Sequence, residues 1–247
     1  MASIAHVARP PRWRREAEQA VSRLARLGSL SDAEQELVLG LLGPTELLPT
    51  GREIVRESPA TSHAGLIVSG WACRQRLLPD GRRQIFDLLA PGDFVGLAPS
   101  GPLGTTWTVC MTRVEFADAE PLRRRLADPD GEDDAIAAAF AAVARMEQLR
   151  ILDQIVRLGR QTAYERVGHL FLELQERTFG VGLGENGRFP LPLTQEVLSD
   201  VLGLSVVHVN RVLQQLKRER LIELHGGRAK ILDPALLAQI CDFTPWA

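Results

Sequence analysis

Cysteine is scarce in this sequence. Cys73, Cys110 and Cys241 are all it has, with no CxxC pair and no dense, even spacing. That excludes a secreted disulfide scaffold and a cysteine-only zinc ribbon. An excess of one charge sign is also lacking. The 247 residues carry 29 Lys and Arg against 31 Asp and Glu, a net charge of −2. The chain as a whole does not attract nucleic acid, so any DNA binding must come from a local patch. Long apolar runs are missing too. The longest charge-free run, between Asp93 and Arg113, contains three glycines and two prolines and reads as strand and loop, not as a spanning helix. The opening MASIAHVARPPRWRREAEQA is basic without an apolar h-region, so it is no secretory signal. No membrane contact and a cytoplasmic location are expected. Catalytic signatures are absent as well: there is no GxSxG, HExxH, P-loop or convincing carboxylate pair, which argues against an enzyme.

What remains is an ordinary globular composition, 45% hydrophobic and 24% charged, long enough for two modest domains. Residues 1–28 read as a polar, arginine-rich N-terminal lead running into an amphipathic stretch. Its Arg9–Arg15 cluster is by default a solvated tail, with a phosphate-touching arm or a partner contact as alternatives. Ser31 and Glu34 have capping-box spacing ahead of LVLGLL, so a short helix should begin there. From about Glu46 the texture turns to short β-rich runs: REIV, AGLIVSGWACRQRLL, RRQIFDLLA and TTWTVCMTRVEF. Turn-forming stretches separate them, among them Pro79-Asp80-Gly81, in which proline presets one dihedral and glycine tolerates positive φ. Short strands at regular spacing predict a β-barrel or sandwich at roughly 46–120, within a sensor domain spanning 29–130.

A glycine- and proline-free segment follows, EDDAIAAAFAAVARMEQLRILDQIVRL, predicting a long helix over 131–160. Ile136, Phe140, Val143, Met146, Leu149 and Leu152 recur at helical spacing, and Ala139, Ile151 and Ile155 widen the stripe. One reading is a single-domain core helix. The other, favoured by about seven turns of length, is a dimerisation helix burying one face on its own barrel and another on a partner. From Gln161 to the C-terminus, 161–247, the chain reads as a second, mostly helical domain. Within it, Gly182 to Gly187 formally match GxGxxG. That fingerprint needs a strand before it and a helix after it, whereas here a helix precedes and FPLPL follows, so the stretch is a loop.

The segment LTQEVLSDVLGLSVVHVNRVL (193–213) carries the functional reading. Thr194 caps a first helix that buries Val197, Leu198, Val201 and Leu202. Gly203 breaks it where positive φ is needed, Leu204 plugs the turn, and Ser205 caps a second helix. That helix buries Val209, Val212, Leu213 and Leu216 and presents Val206, Val207, Asn210 and Arg211 outward. This is a helix-turn-helix, whose second helix enters the major groove. Arginine can pair with guanine, asparagine with adenine, and valine can meet a thymine methyl. Arg211, Lys217, Arg218 and Arg220 against Glu219 make the local basic patch that phosphate binding requires. LIELHGGRAKIL (221–232) reads as two strands around Gly226-Gly227, a wing. The candidate DNA-binding residues are Thr194, Ser205, Val206, Val207, His208, Asn210, Arg211 and Lys217. The alternative is a winged helix that contacts protein instead of double-stranded DNA.

Two motifs together resemble the Crp/Fnr family of bacterial transcription regulators, over nearly the whole chain from about 30 to 240. One is GLIVSGWACRQRLLPDGRRQIFDLLAPGDFVGL (65–97), which follows the cyclic-nucleotide-binding-domain pattern through PGDFxG. The other is LTQEVLSDVLGLSVVHVNRVLQQLKRERLI (193–222). The resemblance implies an α+β chain with an N-terminal double-stranded β-helix (jelly-roll) sensor barrel, a long dimerisation helix and a C-terminal winged helix-turn-helix. It also implies a homodimer, a palindromic operator and contact with RNA polymerase, with Val206, Val207, Asn210 and Arg211 at base-reading positions. A glutamate common in the family at the position of Val207 is missing, so the operator should differ from that of the best-known members.

The sensor departs further. Members that bind cyclic AMP carry a glutamate just after PGDFxG and an arginine several residues on. Here Leu97 follows PGDFVG, no glutamate occurs between Glu57 and Glu115, and no arginine between Arg83 and Arg113. A buried phosphate without a cation is costly, so cyclic AMP is not expected. No cysteine precedes Cys73, so an iron–sulfur cluster is not expected either. Cys73 and Cys110 read as buried small hydrophobes, with a redox pair, or a heme held by His63 or His169, as alternatives without a motif. Trp71, Phe86, Trp107 and Met146 read as core, or else as the lining of an apolar effector pocket.

Overall fold

The computed structural model describes residues 12–56, 63–97, 107–128 and 135–245. The chain opens with helix α1 (Arg12–Gly28) and α2 (Asp32–Gly40), the latter capped by the expected Ser31–Glu34 box. From Arg12 onward the basic lead is therefore no solvated tail, while Arg9 lies outside the described residues. Ala17, Ala20, Val21 and Leu24 form a stripe at helical spacing and are buried against the barrel and a later helix. This is the amphipathic stretch at the end of the lead, formed as a helix. Gly28 lets α1 approach closely, since a Cβ there would stand 2.2 Å from the Ala139 Cβ.

Eight strands follow: β1 (Thr45–Leu48), β2 (Glu53–Arg56), β3 (Gly65–Ser69), β4 (Ala72–Leu77), β5 (Arg83–Leu89), β6 (Phe94–Val95), β7 (Trp107–Cys110) and β8 (Val114–Asp118). They form two four-stranded antiparallel sheets, ordered β1-β8-β3-β6 and β2-β7-β4-β5. This is the interleaved order of a jelly roll. The Pro79-Asp80-Gly81 hairpin joins β4 to β5, with Gly81 at φ 86° and the Leu78 N–H donating to the Arg82 carbonyl at 2.7 Å. Leu48, Ile54, Ile67, Leu89, Val114 and Phe116 fill the space between the sheets.

Beyond α3 (Glu120–Leu126) run α4 (Ala135–Arg160) and α5 (Ala163–Gly180). They lead to β9 (Arg188–Pro190), α6 (Gln195–Leu202), α7 (Val206–Arg218), β10 (Ile222–His225), β11 (Arg228–Ile231) and α8 (Pro234–Cys241). β9 begins at Arg188, directly after the Gly182–Gly187 loop, where the sequence reading placed no strand. It pairs antiparallel with β11 and makes the wing a three-stranded sheet, order β10-β11-β9. Phe189 is fully buried there, edge-on to Phe171 at 6.5 Å. Pro190 is tolerated because β9 is an edge strand. The barrel and the C-terminal domain also share one apolar core. Trp71, Cys73, Ile85 and Leu88 from the outer face of β4 and β5 pack with Leu170, Leu174, Leu198 and Val201.

The long helix α4 changes character along its length. Its first turns bury Ile136, Ala139 and Phe140, the last edge-on to Phe94 at 5.0 Å. Its later turns bury Arg150, Gln154 and Arg157 and leave Leu149, Leu152 (56% exposed), Ile155 (61%) and Val156 in solvent. The apolar stripe read from the sequence therefore splits, with Ile136 and Phe140 inward and Leu149 and Leu152 outward.

The inward polar side chains join a buried ionic network. Arg177 donates to Asp93 at 2.6 Å, to Glu173 at 3.1 Å and to the Leu88 carbonyl at 2.5 Å. Arg157 pairs with Glu173 at 2.5 Å and with Gln154 at 2.7 Å. Arg74 on the barrel pairs with Asp87 at 3.0 Å and with Glu147 of α4 at 3.2 Å. Burial pushes the Asp93 carboxyl up, but Arg177, Arg150 and Arg23 outweigh it and hold Asp93 well below the ordinary carboxylate range. Glu173 is depressed in the same way, against its burial, by Arg157 and Arg177. Buried ion pairs repay their desolvation only through close geometry and further hydrogen bonds.

Candidate nucleic-acid interface

The local grammar of α6 and α7 is the one expected. Thr194 Oγ1 accepts from the Val197 N–H at 3.2 Å, and Ser205 Oγ accepts from the His208 N–H at 3.2 Å. Each hydroxyl thus satisfies one of the free donors that begin a helix. Gly203 ends α6 at φ 62° in the left-handed region, where a side chain would be strained. Leu198, Val201 and Leu202 of α6 and Val209, Val212, Leu213 and Leu216 of α7 are buried together, while Val197 is half-buried.

Burying that stripe turns the opposite face of α7 outward. Val207 is 80% exposed, with Val206, Asn210 and Arg211 exposed beside it. His208 and Lys217 are half-buried at its margins. Gln214, exposed one turn beyond Asn210, belongs to the same face. It escaped the sequence reading although its spacing from Val207 and Asn210 points to it. The one acid near the C-terminus of α7, Glu219, is taken up by the Tyr164 hydroxyl and by Gln215. The cations Lys217, Arg218 and Arg220 then dominate that end. The wing tip is a two-residue hairpin, Gly226 at φ 57° and Gly227 at φ 70°, whose exposed end places His225 beside them.

The interface is not an appendage. The last carbonyls of α6, which a helix leaves without internal donors, are taken up by side chains from three other elements. Gln84 of β5 donates to the Asp200 carbonyl at 2.8 Å, Gln154 of α4 to Val201 at 2.6 Å, and Arg166 of α5 to Leu202 at 3.0 Å. Arg83 adds an ion pair to Asp200 at 2.5 Å. The pose of the helix pair is thereby tied to barrel and long helix alike.

The sensor candidates do not gather. Met146 lines a cavity walled by arginines, and Trp71, Phe86 and Trp107 are not part of that lining. Trp71 packs instead into the shared core. In the β4–β7 register Ala72 faces Cys110 and Cys73 faces Val109. The two thiols therefore lie on opposite faces of the sheet, Cys73 toward the C-terminal domain and Cys110 inside the barrel. Burial pushes Cys73 up to about 12 and Cys110 up to about 11, so both stay protonated. Among the described residues no group of three or more His, Cys, Asp or Glu could hold a metal ion. His63 is exposed, and His169 Nδ1 is engaged by the Arg157 guanidinium at 2.8 Å. Burial, then Arg157, push His169 down to about 4. No helix among the described residues is long and apolar enough to cross a membrane.

A jelly-roll barrel, a long connecting helix and a winged helix-turn-helix with an exposed, basic reading face define a DNA-binding regulator. Known proteins agree. Residues 165–240 match the Crp-like helix-turn-helix domain, and residues 34–114 match the cyclic nucleotide-binding domain. The chain is 31% identical over 201 residues to the nitrogen fixation regulation protein FixK of Bradyrhizobium diazoefficiens, covering 78% of this chain and 80% of that one. It is 29% identical over 238 residues to the transcriptional activatory protein AadR of Rhodopseudomonas palustris, covering 90% and 91%. The structure of FixK2 from Bradyrhizobium japonicum superposes with a TM-score of 0.67 at 28% identity, covering 79% of this chain and 96% of that one. The chain belongs to the Crp/Fnr family, a family of transcription regulators and not of enzymes.

Proposed function

We propose that the protein acts in the cytoplasm as a homodimer that grips a palindromic operator with one α7 helix from each protomer. The observation that carries this is the inverted half of α4. Leu149, Leu152, Ile155 and Val156 form an outward apolar band on a helix whose opposite face, with Arg150, Gln154 and Arg157, is buried in its own chain. A second copy of the same helix covers such a band by two-fold pairing, which sets the two reading helices at a fixed spacing. On each half-site Arg211 and Asn210 meet base edges, Val206 and Val207 meet thymine methyls, and Gln214 extends the read by one turn. Thr194, Ser205, His208 and Lys217 stand at the phosphate margin, where contacts position the protein without reading sequence.

Contact with RNA polymerase is supported by the relative named a transcriptional activatory protein. Cyclic AMP is not the signal in this reading. Leu97 replaces the glutamate after PGDFVG, and the stretch 98–106, where a phosphate-binding arginine would fall, contains none and lies outside the described residues. Neither an iron–sulfur cluster nor heme is part of this reading: Cys73 and Cys110 lie on opposite faces of their sheet, and His169, one of the two candidate heme ligands, is held by Arg157. Genome-wide occupancy of the tagged protein, with Arg211→Ala beside it, tests the proposal. A short palindrome recovered by the parent and lost by the variant supports it. Single, non-repeated half-sites would contradict the dimer.

A further inference from the structure

A cavity of about 260 Å3 opens between α1, α4 and α5. Arg23, Arg26, Arg150 and Arg177 line it, with Glu176 as its carboxylate and Leu27 and Met146 as an apolar side. Arg150 is only 5% exposed, yet its Nε and Nη2 have no hydrogen-bond partner among the described residues. The nearest carboxylate oxygens, on Asp87 and Glu147, stand off at 3.6 and 3.8 Å, beyond hydrogen-bond length. Arg177 likewise leaves its Nε unbonded, although its terminal nitrogens are engaged. Buried guanidinium donors left unmade are costly. The void on the far side of Arg150, beside Phe86 and Gln154, is about 10 Å3, room for no more than one water. The crowding of like charge is felt at Arg23, which burial pushes down and which Arg177 and Arg150 push down further, against the pull of Asp93.

We propose that this cavity binds a small organic anion, a carboxylate or phosphate ester with a short apolar tail. The anionic oxygens accept from Arg150, Arg177 and Arg23, with Arg26 as a further cation, and the tail lies on Leu27 and Met146. Guanidinium forks suit both head groups, since each offers paired acceptor oxygens. The site is not the barrel interior. Two of its three walls, residues 23–27 and 146–150, lie outside the stretches 34–114 and 165–240 that match the family domains. Arg150 stands one helical turn from Gln154, which holds the Val201 carbonyl of α6. An anion seated on Arg150 therefore bears on the clamp that poses the reading helices. That regulatory consequence rests on the DNA-reading dimer proposed above; the binding itself does not.

Titration calorimetry of the full-length protein with inorganic phosphate, hexyl phosphate, hexanoate and hexanol tests the site without DNA. The expected result is saturable binding of hexyl phosphate or hexanoate, tighter than inorganic phosphate, with no binding of hexanol. Whichever anion binds identifies the head group. Arg26, whose Nη2 donates to the Gly180 carbonyl at 2.8 Å, acts by charge, and Arg26→Gln should weaken the binding about tenfold through the loss of that neighbouring charge. Met146→Trp, which fills the apolar side, should abolish it, as should Arg150→Gln; if the last fails to fold, the other two decide. No saturable binding of any anion would overturn the proposal, as would binding that Arg26→Gln and Met146→Trp leave unchanged. Operator binding measured separately on the unliganded protein reports on the DNA-reading dimer alone, so failure of one is distinguishable from failure of the other.

Discussion

The two halves of α4 solve opposite problems. The first turns bury Ile136, Ala139 and Phe140 against α1 and the barrel, and their stability comes from packing that any small core would share. The later turns bury Arg150, Gln154 and Arg157 and hold apolar side chains out to water. Burying charge while exposing leucine and isoleucine gives a lone chain nothing that packing alone would favour. The inversion makes sense when the inward face orients neighbouring elements and the outward face is covered by a partner. A helix can thus be a core element at one end and a coupling element at the other.

Breaking the ionic half should have the largest effect. Arg157→Leu takes one of its two guanidinium partners from the buried Glu173 carboxylate, leaves it Arg177 alone, and should cost about 3–5 kcal/mol in urea unfolding. Ile136→Ala, in the packed half, should cost about 2–4 kcal/mol through transfer and cavity terms. The two variants should also part company in acid. His169 is pushed down to about 4 from an ordinary value of 6.5, so its contribution is present above pH 6.5 and is lost as pH falls toward 4. Asp93 and Glu173 are depressed as well, so their contributions fade at lower pH, below the ordinary carboxylate value. Unfolding profiles from pH 7 downward should fall steeply for the parent and for Ile136→Ala, and more gently for Arg157→Leu. An equal slope in all three would show that the network does not set the acid response. The smallest effect belongs to the clamp. Gln84→Ala should cost about 1 kcal/mol of stability and weaken operator binding by more than it weakens the barrel, as filter binding beside thermal unfolding would show.

The same contrast explains what could be read in advance. The helix-turn-helix was legible because its signals are local. Thr194, Gly203 and Ser205 each act within four residues of themselves, and the buried stripe of α7 fell where its spacing placed it. The barrel strands were legible from alternation and turn residues. What escaped depends on partners distant in sequence. Arg150, Gln154 and Arg157 turn inward only because Asp87, Glu173 and Val201 arrive to meet them. The amphipathic stretch of the lead gave no sign of where α1 docks, on the barrel and α4, and β9 exists only because β11 pairs with it. α8 packs on α5 through Gly168, where a Cβ would meet Cys241 Sγ at 2.4 Å, an approach no local pattern announces. Gln214, exposed on the same face of α7 as Val207 and Asn210, was not singled out, although its helical spacing could have found it.

Sedimentation equilibrium of the parent beside a Leu152→Glu/Ile155→Glu variant decides whether two α4 helices pair. Both side chains are more than half exposed in the single chain, so the variant should keep its fold by circular dichroism. Pairing through α4 gives a parent at twice the chain mass and a folded variant at the chain mass that no longer holds a palindromic operator. A parent that sediments as a monomer, or a variant that still dimerises, would contradict it.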